Sequence, residues 1–111
     1  MARALIWSED SQADIDEIEA YIALSAPSNA RRVVERIRNA ANKQLDFPYA
    51  ARIIPEFQDP DRREIFVYQY RLMYRIEAHR VRVLRVVHGR RLLKNVPGSF
   101  EESAQPDYSA A

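Results

Sequence analysis

The sequence has no cysteine, only two glycines and one tryptophan in 111 residues, and no long apolar run. Without cysteine there is neither a disulfide framework nor a thiolate metal site. No stretch approaches the roughly 18 apolar residues of a membrane span, and the first residues lack the basic and apolar regions of a signal peptide. We therefore expect a cytoplasmic protein with no membrane association, no metal, no cofactor and no small-molecule ligand.

The composition is that of an ordinary globular protein, with 47% hydrophobic and 30% charged residues. The length fits one domain better than two. We expect a single domain over residues 1–94. Residues 95–111 have little apolar content beyond Val96, Phe100 and Tyr108, which predicts a loosely held tail.

The net charge of +1 hides an uneven distribution. Residues 62–94 contain ten basic and two acidic residues, whereas residues 1–61 contain seven basic and eleven acidic ones. Nine of the ten basic residues in the first of these segments are arginine, which suits bidentate contact with phosphate or carboxylate. This basic block favours a polyanion or an acidic protein segment as a partner. A solvated sheet face is the simpler alternative.

The first half of the chain predicts a strand followed by two helices. Residues 3–7 form a short apolar run, and Ser8 is placed to cap a helix with Glu9 and Asp10 in its first turn. The predicted core stripe of this helix is Ala13, Ile15, Ile18, Ile22 and Leu24, with Asp14, Asp16, Glu17 and Glu19 on the outer side. Pro27 then opens a second helix that runs to about Leu45, with a stripe of Ala30, Val34, Ile37, Ala41 and Leu45. The two make an antiparallel helical hairpin.

The second half predicts antiparallel strands. Residues 52–57 suggest a short strand, in which Pro55 implies a sheet edge. Residues 64–68, 71–77 and 81–87 alternate with the period of strands. In the middle run one predicted face is apolar, and the other carries Arg71, Met73, Arg75 and Glu77. The fold class is therefore α+β, with an N-terminal strand and a helical hairpin packed on a small, mostly antiparallel β-sheet.

Several short motifs in this order resemble the RelE/ParE toxin family. They are Leu5-Ile6-Trp7-Ser8, the residues Ala13, Ile18, Tyr21 and Ile22, then Arg52-x-x-Pro55-Glu56, Arg63-Glu64, the run from Tyr70 to Arg75, and the run from Val86 to Arg91. Each motif alone is weak, but their order and spacing over residues 3–91 are specific at the family level. The whole is more similar to the ParE-like, or plasmid-stabilisation, branch than to RelE.

The resemblance implies a toxin of a type II toxin–antitoxin pair, held in a hetero-oligomer by a cognate ParD-like antitoxin. The antitoxin is expected to be partly disordered when free. An acidic, apolar segment of it would cover the helical hairpin and the arginine face through charge complementarity and coupled folding.

The resemblance also implies two alternative activities, inhibition of DNA gyrase and ribosome-dependent cleavage of mRNA. Metal-independent RNA cleavage needs proton carriers and cations that stabilise the phosphorane. In that case the catalytic residues are Glu56, His88 and Arg71, because Glu56 and His88 lie at positions that resemble a catalytic Glu and His of some family members. However, Gly89 follows His88 where those nucleases commonly have a tyrosine nearby. The sequence at the end of the last strand, from His88 to Arg91, therefore favours a non-enzymatic gyrase inhibitor.

For either activity, the residues expected to bind the target or the antitoxin are Arg63, Glu64, Arg71, Arg75, His88, Arg90 and Arg91. Structural roles are the alternative at each of them: Arg71 can pair with Glu56 or Glu64, and Arg63 with Glu64. Tyr70, Tyr74 and Trp7 are expected to pack in the core, and His79 to lie in an exposed turn. An inactive antitoxin-binding member and an electrostatic nucleic-acid-binding module remain as further alternatives.

Overall fold

The computed structural model describes residues 3–91 and 93–96, and it contains two helices and five strands in that part of the chain. In chain order these are β1 (Ala4–Trp7), α1 (Glu9–Ala23), α2 (Pro27–Lys43), β2 (Arg52–Ile53), β3 (Arg62–Val67), β4 (Tyr70–Ile76) and β5 (Arg80–His88). Short 3-10 helices cover Pro48–Ala50 and Leu93–Asn95.

The five strands form one sheet in the order β1-β5-β4-β3-β2. Strands β2 to β5 are antiparallel neighbours, whereas β1 runs parallel to β5 at the edge. A parallel pair needs a long connection, and the helical hairpin and the meander supply it. The α+β prediction, with its mostly antiparallel sheet, is confirmed.

The junction between β1 and α1 follows the predicted cap. The backbone N–H of Ser11 donates to Ser8 Oγ at 3.0 Å, and Ser8 Oγ donates to the carbonyl of Leu84 at 3.0 Å. One hydroxyl therefore satisfies a helix donor and also joins the helix start to β5.

The helices pack on one face of the sheet through the stripes that their periodicity predicted. In α2 the buried residues include Ala30, Val34, Ile37 and Ala41, with Val33 in addition. In α1, Ile15 is buried, and Ile18 and Ile22 pack against the same core. The prediction was wrong for Ala13 and Leu24, which are exposed, because both lie beyond the part of the helix surface that faces the sheet.

The opposite face of the sheet has a second, smaller core. It consists of Ile54, Met73, Val87, Leu93 and Val96. The sequence placed Met73 on a polar face, which is wrong, since segments without regular periodicity cover this part of the sheet. Val96 is buried here, so described packing continues two residues past the predicted domain end. Residues 97–111, most of the predicted tail, lie outside the described residues.

Strand β2 is shorter than predicted. It covers two residues, and Pro55 lies in the turn that follows rather than in a strand. Proline has no backbone N–H to donate to a sheet, which is consistent with pairing that stops before it. The turn carries Glu56 back towards β4, where it contacts Arg71.

An irregularity in β5 changes which residues face the helices. The register opposite β4 shifts between Met73 and Tyr74, which leaves Leu84 as an extra residue in β5. Val83 and Val86 therefore both join the main core although they are an odd number of residues apart. A strict alternation could not predict this arrangement.

Within the described residues, we find no helix with the length and apolar character that crossing a membrane requires.

Candidate functional site

The predicted site residue Arg71 lies at the centre of a compact group of charges. Its Nη1 and Nη2 donate to the two carboxylate oxygens of Glu56 at 2.8 and 2.7 Å, and its Nε donates to Glu64 at 2.8 Å. Glu64 also pairs with Arg52. We call these four residues, Arg52, Glu56, Glu64 and Arg71, the Arg71 cluster. The pairing of Arg71 with both carboxylates confirms the structural alternative considered from the sequence.

Burial and hydrogen bonding make the side chains of the Arg71 cluster poorly suited to act as general acids or bases. The Glu64 side chain is fully buried and the Arg71 side chain is 5% exposed. The hydrogen bonds from Arg71 hold the pKa of Glu56 below its ordinary value, and those to Glu56 raise the pKa of Arg71. Glu56 is thus a weak base, and both of its oxygens already accept hydrogen bonds from Arg71.

His88 ends β5 and has different neighbours. It is half-buried, and its ring lies edge-on to Tyr70 with the centroids 6.2 Å apart. Its Nδ1 accepts a hydrogen bond from the backbone N–H of Arg90 at 3.2 Å. This bond folds the chain after β5 back on the histidine and occupies one of its two ring nitrogens.

The two predicted proton carriers line different cavities. His88 lines a cavity of about 390 Å³ between α1 and the end of β5, together with Tyr21, Tyr70 and Arg91. Glu56 lines a cavity of about 350 Å³ with Arg52, Pro55, Arg71 and Gly89. General acid–base catalysis requires both groups within hydrogen-bond reach of one reacting site. The structure brings Glu56 and Arg71 together, whereas His88 lies opposite Tyr70, the residue before Arg71 in β4, and lines the other cavity.

The other predicted site residues are spread along the sheet. Arg63 does not pair with Glu64; its guanidinium donates to the carbonyls of Pro60, Tyr49 and Ala51. Arg75 is half-buried in β4. Arg90 and Arg91 are exposed, directly after β5.

The predicted core aromatics are confirmed as packing residues. Tyr70 and Tyr74 are buried, and the Tyr74 hydroxyl donates to the carbonyl of Pro48 at 2.6 Å. Burial raises the pKa of Tyr74 to about 12, which keeps it neutral. Trp7 packs against the main core with Arg38 over its ring, and His79 is exposed.

An ion pair between Asp14 and Arg85 was not predicted. Arg85 donates from Nε and Nη2 to Asp14 at 2.8 and 2.9 Å, and the backbone N–H of Val86 donates to the same carboxylate at 2.9 Å. Asp14 was expected on the outer acidic face of α1, which is wrong. The only sequence signal was an acidic residue one position before the buried Ile15, which does not identify a partner 71 residues away.

The helical hairpin on one face of a five-stranded sheet is an architecture that the chain shares with a solved structure. A solved chain described as "Chromosomal ParDE TA system from P. aeruginosa" superposes with a TM-score of 0.68. It is 18% identical, and the match covers 78% of this chain and 96% of that one, so it supports the fold. A search of curated proteins gave no match.

The family follows from the sequence match. The model of the ParE toxin of the type II toxin–antitoxin system parDE matches residues 5–93. The chain belongs to the ParE toxin family. This confirms the resemblance inferred from the motifs.

Proposed function

We propose that this ParE-type toxin acts by inhibiting DNA gyrase and that a ParD-like antitoxin neutralises it in the cytoplasm. The observation that carries the proposal is the separation of Glu56 from His88. A metal-independent nuclease needs these groups at one site, and here they line different cavities, with Glu56 engaged by Arg71. A protein that binds its target without chemistry needs only an exposed surface.

The end of β5 supplies such a surface. Arg90 and Arg91 are exposed there, within the segment of residues 62–94 that concentrates the basic charge. Arginine is enriched at the energetic centres of protein interfaces, because it combines charge, hydrogen bonding and stacking. His88, Arg90 and Arg91 are thus the proposed target-contacting residues. The buried Glu64 and Arg71 belong to the charge cluster that reaches the carbonyl of Arg91, whereas the half-buried Arg75 lies further along β4, opposite Arg82.

The proposed antitoxin surface lies beside α1. Tyr21 and Leu24 are 74% and 85% exposed, and Tyr21 lines the same cavity as His88. An apolar segment that covered these residues would gain burial there and would also reach Arg91. Neutralisation would then follow from occlusion of the target-contacting residues.

Two assays on the purified full chain separate the proposal from its alternatives. We expect the protein to inhibit supercoiling by gyrase or to trap cleaved DNA, and to produce no transcript cuts in translating ribosomes. Full supercoiling at a large excess of toxin would contradict the proposal, and cuts that disappear in His88→Ala would support the nuclease instead. A protein that does neither, but binds the product of the neighbouring reading frame, would be an inactive family member.

A further inference from the structure

The three residues after β5, Gly89 to Arg91, contact the rest of the fold at both ends. We call residues 89–91 the Gly89 loop. At its start, the backbone N–H of Gly89 donates to the carbonyl of Gln69 at 2.6 Å. At its end, the carbonyl of Arg91 lies 3.5 Å from Nη1 of Arg71, the atom that also donates to Glu56.

The start of the loop is tightly packed, so a side chain there would require its neighbours to move by a few tenths of an ångström. A Cβ on Gly89 would lie 3.0 Å from the carbonyl oxygen of Gln69 and 3.0 Å from Cε1 of Phe66. The guanidinium of Arg52 lies over the Phe66 ring, 5.2 Å from its centroid. Glycine is therefore favoured here by the close approach of Gln69 and Phe66 rather than by its backbone angles.

These contacts form a closed ring. Arg71 binds Glu64, Glu64 binds Arg52, Arg52 lies on Phe66, and Phe66 packs on Gly89. The loop then continues from Gly89 to the carbonyl of Arg91, which returns to Arg71. Glu56 lies outside the ring, but its bidentate contact fixes the plane of the Arg71 guanidinium.

We propose that Glu56 and Arg71 are positioning residues that hold the Gly89 loop, so that the exposed Arg90 and Arg91 are presented in one fixed arrangement to the toxin's target. The role of the loop in binding the target rests on the proposed function, whereas the contacts that hold the loop do not. It gives Glu56 and Arg71 a role other than catalysis: they act through the loop and touch no target themselves. A loop ordered before binding loses less conformational entropy when it binds.

The test compares Glu56→Gln with Glu77→Gln in the full chain. Glu77 is a matched control, since it also pairs with a buried arginine, Arg82, at 3.3 Å and has a similar side-chain exposure, 24% against 30% for Glu56. It lies at the opposite end of β5, in the turn before that strand. Both changes remove one carboxylate charge from an ion pair, but only Glu56→Gln removes it from the Arg71 cluster.

Two readouts decide the outcome. In Glu56→Gln we expect amide hydrogen exchange in residues 89–91 to accelerate about tenfold, the equivalent of losing roughly 1.4 kcal/mol of charge-assisted hydrogen bonding, and the half-inhibitory concentration against gyrase to rise. Glu77→Gln should change neither. Unchanged exchange in Glu56→Gln, or an equal loss of inhibition in both variants, would overturn the proposal. If the wild type does not inhibit gyrase, the proposed function fails, and hydrogen exchange alone still decides the positioning role.

Discussion

At the scale of single residues, Arg71 is the most consequential side chain in the structure. It is 5% exposed and contacts two carboxylates, one of them on the fully buried Glu64 side chain. A buried ion pair adds little net stability when it is intact, but removing one partner leaves an uncompensated buried charge. Arg71, a candidate catalytic residue in the sequence, therefore has a structural role, because it compensates the charges of Glu56 and Glu64.

We predict that Arg71→Met destabilises the fold by about 3–5 kcal/mol, the usual cost of breaking a buried charge pair. Urea unfolding measured by circular dichroism gives the free energy. Arg90→Met is the control, because its exposed side chain should change stability by less than about 0.5 kcal/mol. If the two variants were equally stable, the buried Glu64 carboxylate would not need Arg71 to compensate its charge.

The pKa of Glu56 makes a second residue-scale prediction, about pH. Hydrogen bonds from Arg71 lower this pKa in the folded state below its ordinary value of 4.5. A lowered folded-state pKa means that ionised Glu56 stabilises the fold above the unfolded-state pKa, and that this contribution disappears as the pH falls through the folded-state pKa.

We therefore expect Glu56→Gln to be less stable than the wild type at pH 7, with the difference shrinking as the solution becomes more acidic than 4.5 and vanishing below the lowered pKa. Urea unfolding at a series of pH values measures this difference. A constant difference across the acidic range would contradict the assignment.

At the scale of elements, the outer edge of β5 depends on α1. Strand β1 pairs with β5 only as far as Val83. Beyond that point Ser8 Oγ donates to the carbonyl of Leu84, and Asp14 accepts from the N–H of Val86. Side chains of the helix thus replace a missing strand partner, and burial raises the pKa of Asp14 despite its pairing with Arg85.

Asp14→Asn should therefore cost about 1–3 kcal/mol, as expected for a weakened hydrogen bond to a charged group, and should accelerate hydrogen exchange at the Val86 amide. Asp16→Asn is the matched control on the exposed side of α1. If Asp16→Asn is as destabilising as Asp14→Asn, the edge contact is not what stabilises α1 on β5.

The elements also show where sequence reasoning succeeds and where it stops. The Ser8 cap, the α2 stripe and the three long strands follow from local patterns, and the structure confirms them. The burial of Met73 does not follow from a local pattern, because a distant irregular segment covers it. The position of Asp14 does not either, because its partner is 71 residues away. The extra residue Leu84 reverses the alternation of β5, which no fixed period anticipates.

The candidate site, too, could be predicted from the sequence only in part. The motifs identified the family, and the charges allowed Arg71 to pair with Glu56 or Glu64. The sequence did not reveal that both pairings occur at once, because the position of Glu56 depends on the turn after β2. Nor did it reveal that Arg52 joins them, because that contact depends on the pairing of β2 with β3.

At the scale of the whole molecule, ion pairing makes the basic block less exposed than its net charge suggests. Arg71, Arg82 and Arg85 are buried and have carboxylate partners. Arg90 and Arg91 are exposed at the end of the sheet. The proposed target-binding surface is thus the short Gly89 loop, rather than the whole arginine-bearing face of the sheet.

The most direct test of this account measures gyrase supercoiling with Arg90→Ala/Arg91→Ala and with Arg31→Ala/Arg32→Ala. Both double variants remove two adjacent exposed arginines, the first from the Gly89 loop and the second from α2. We expect wild-type toxin to inhibit supercoiling and the α2 variant to behave like the wild type. The loop variant should need about tenfold or more protein for the same inhibition, as for loss of an interface hot spot. Equal inhibition by all three proteins, or none by the wild type, would contradict this account.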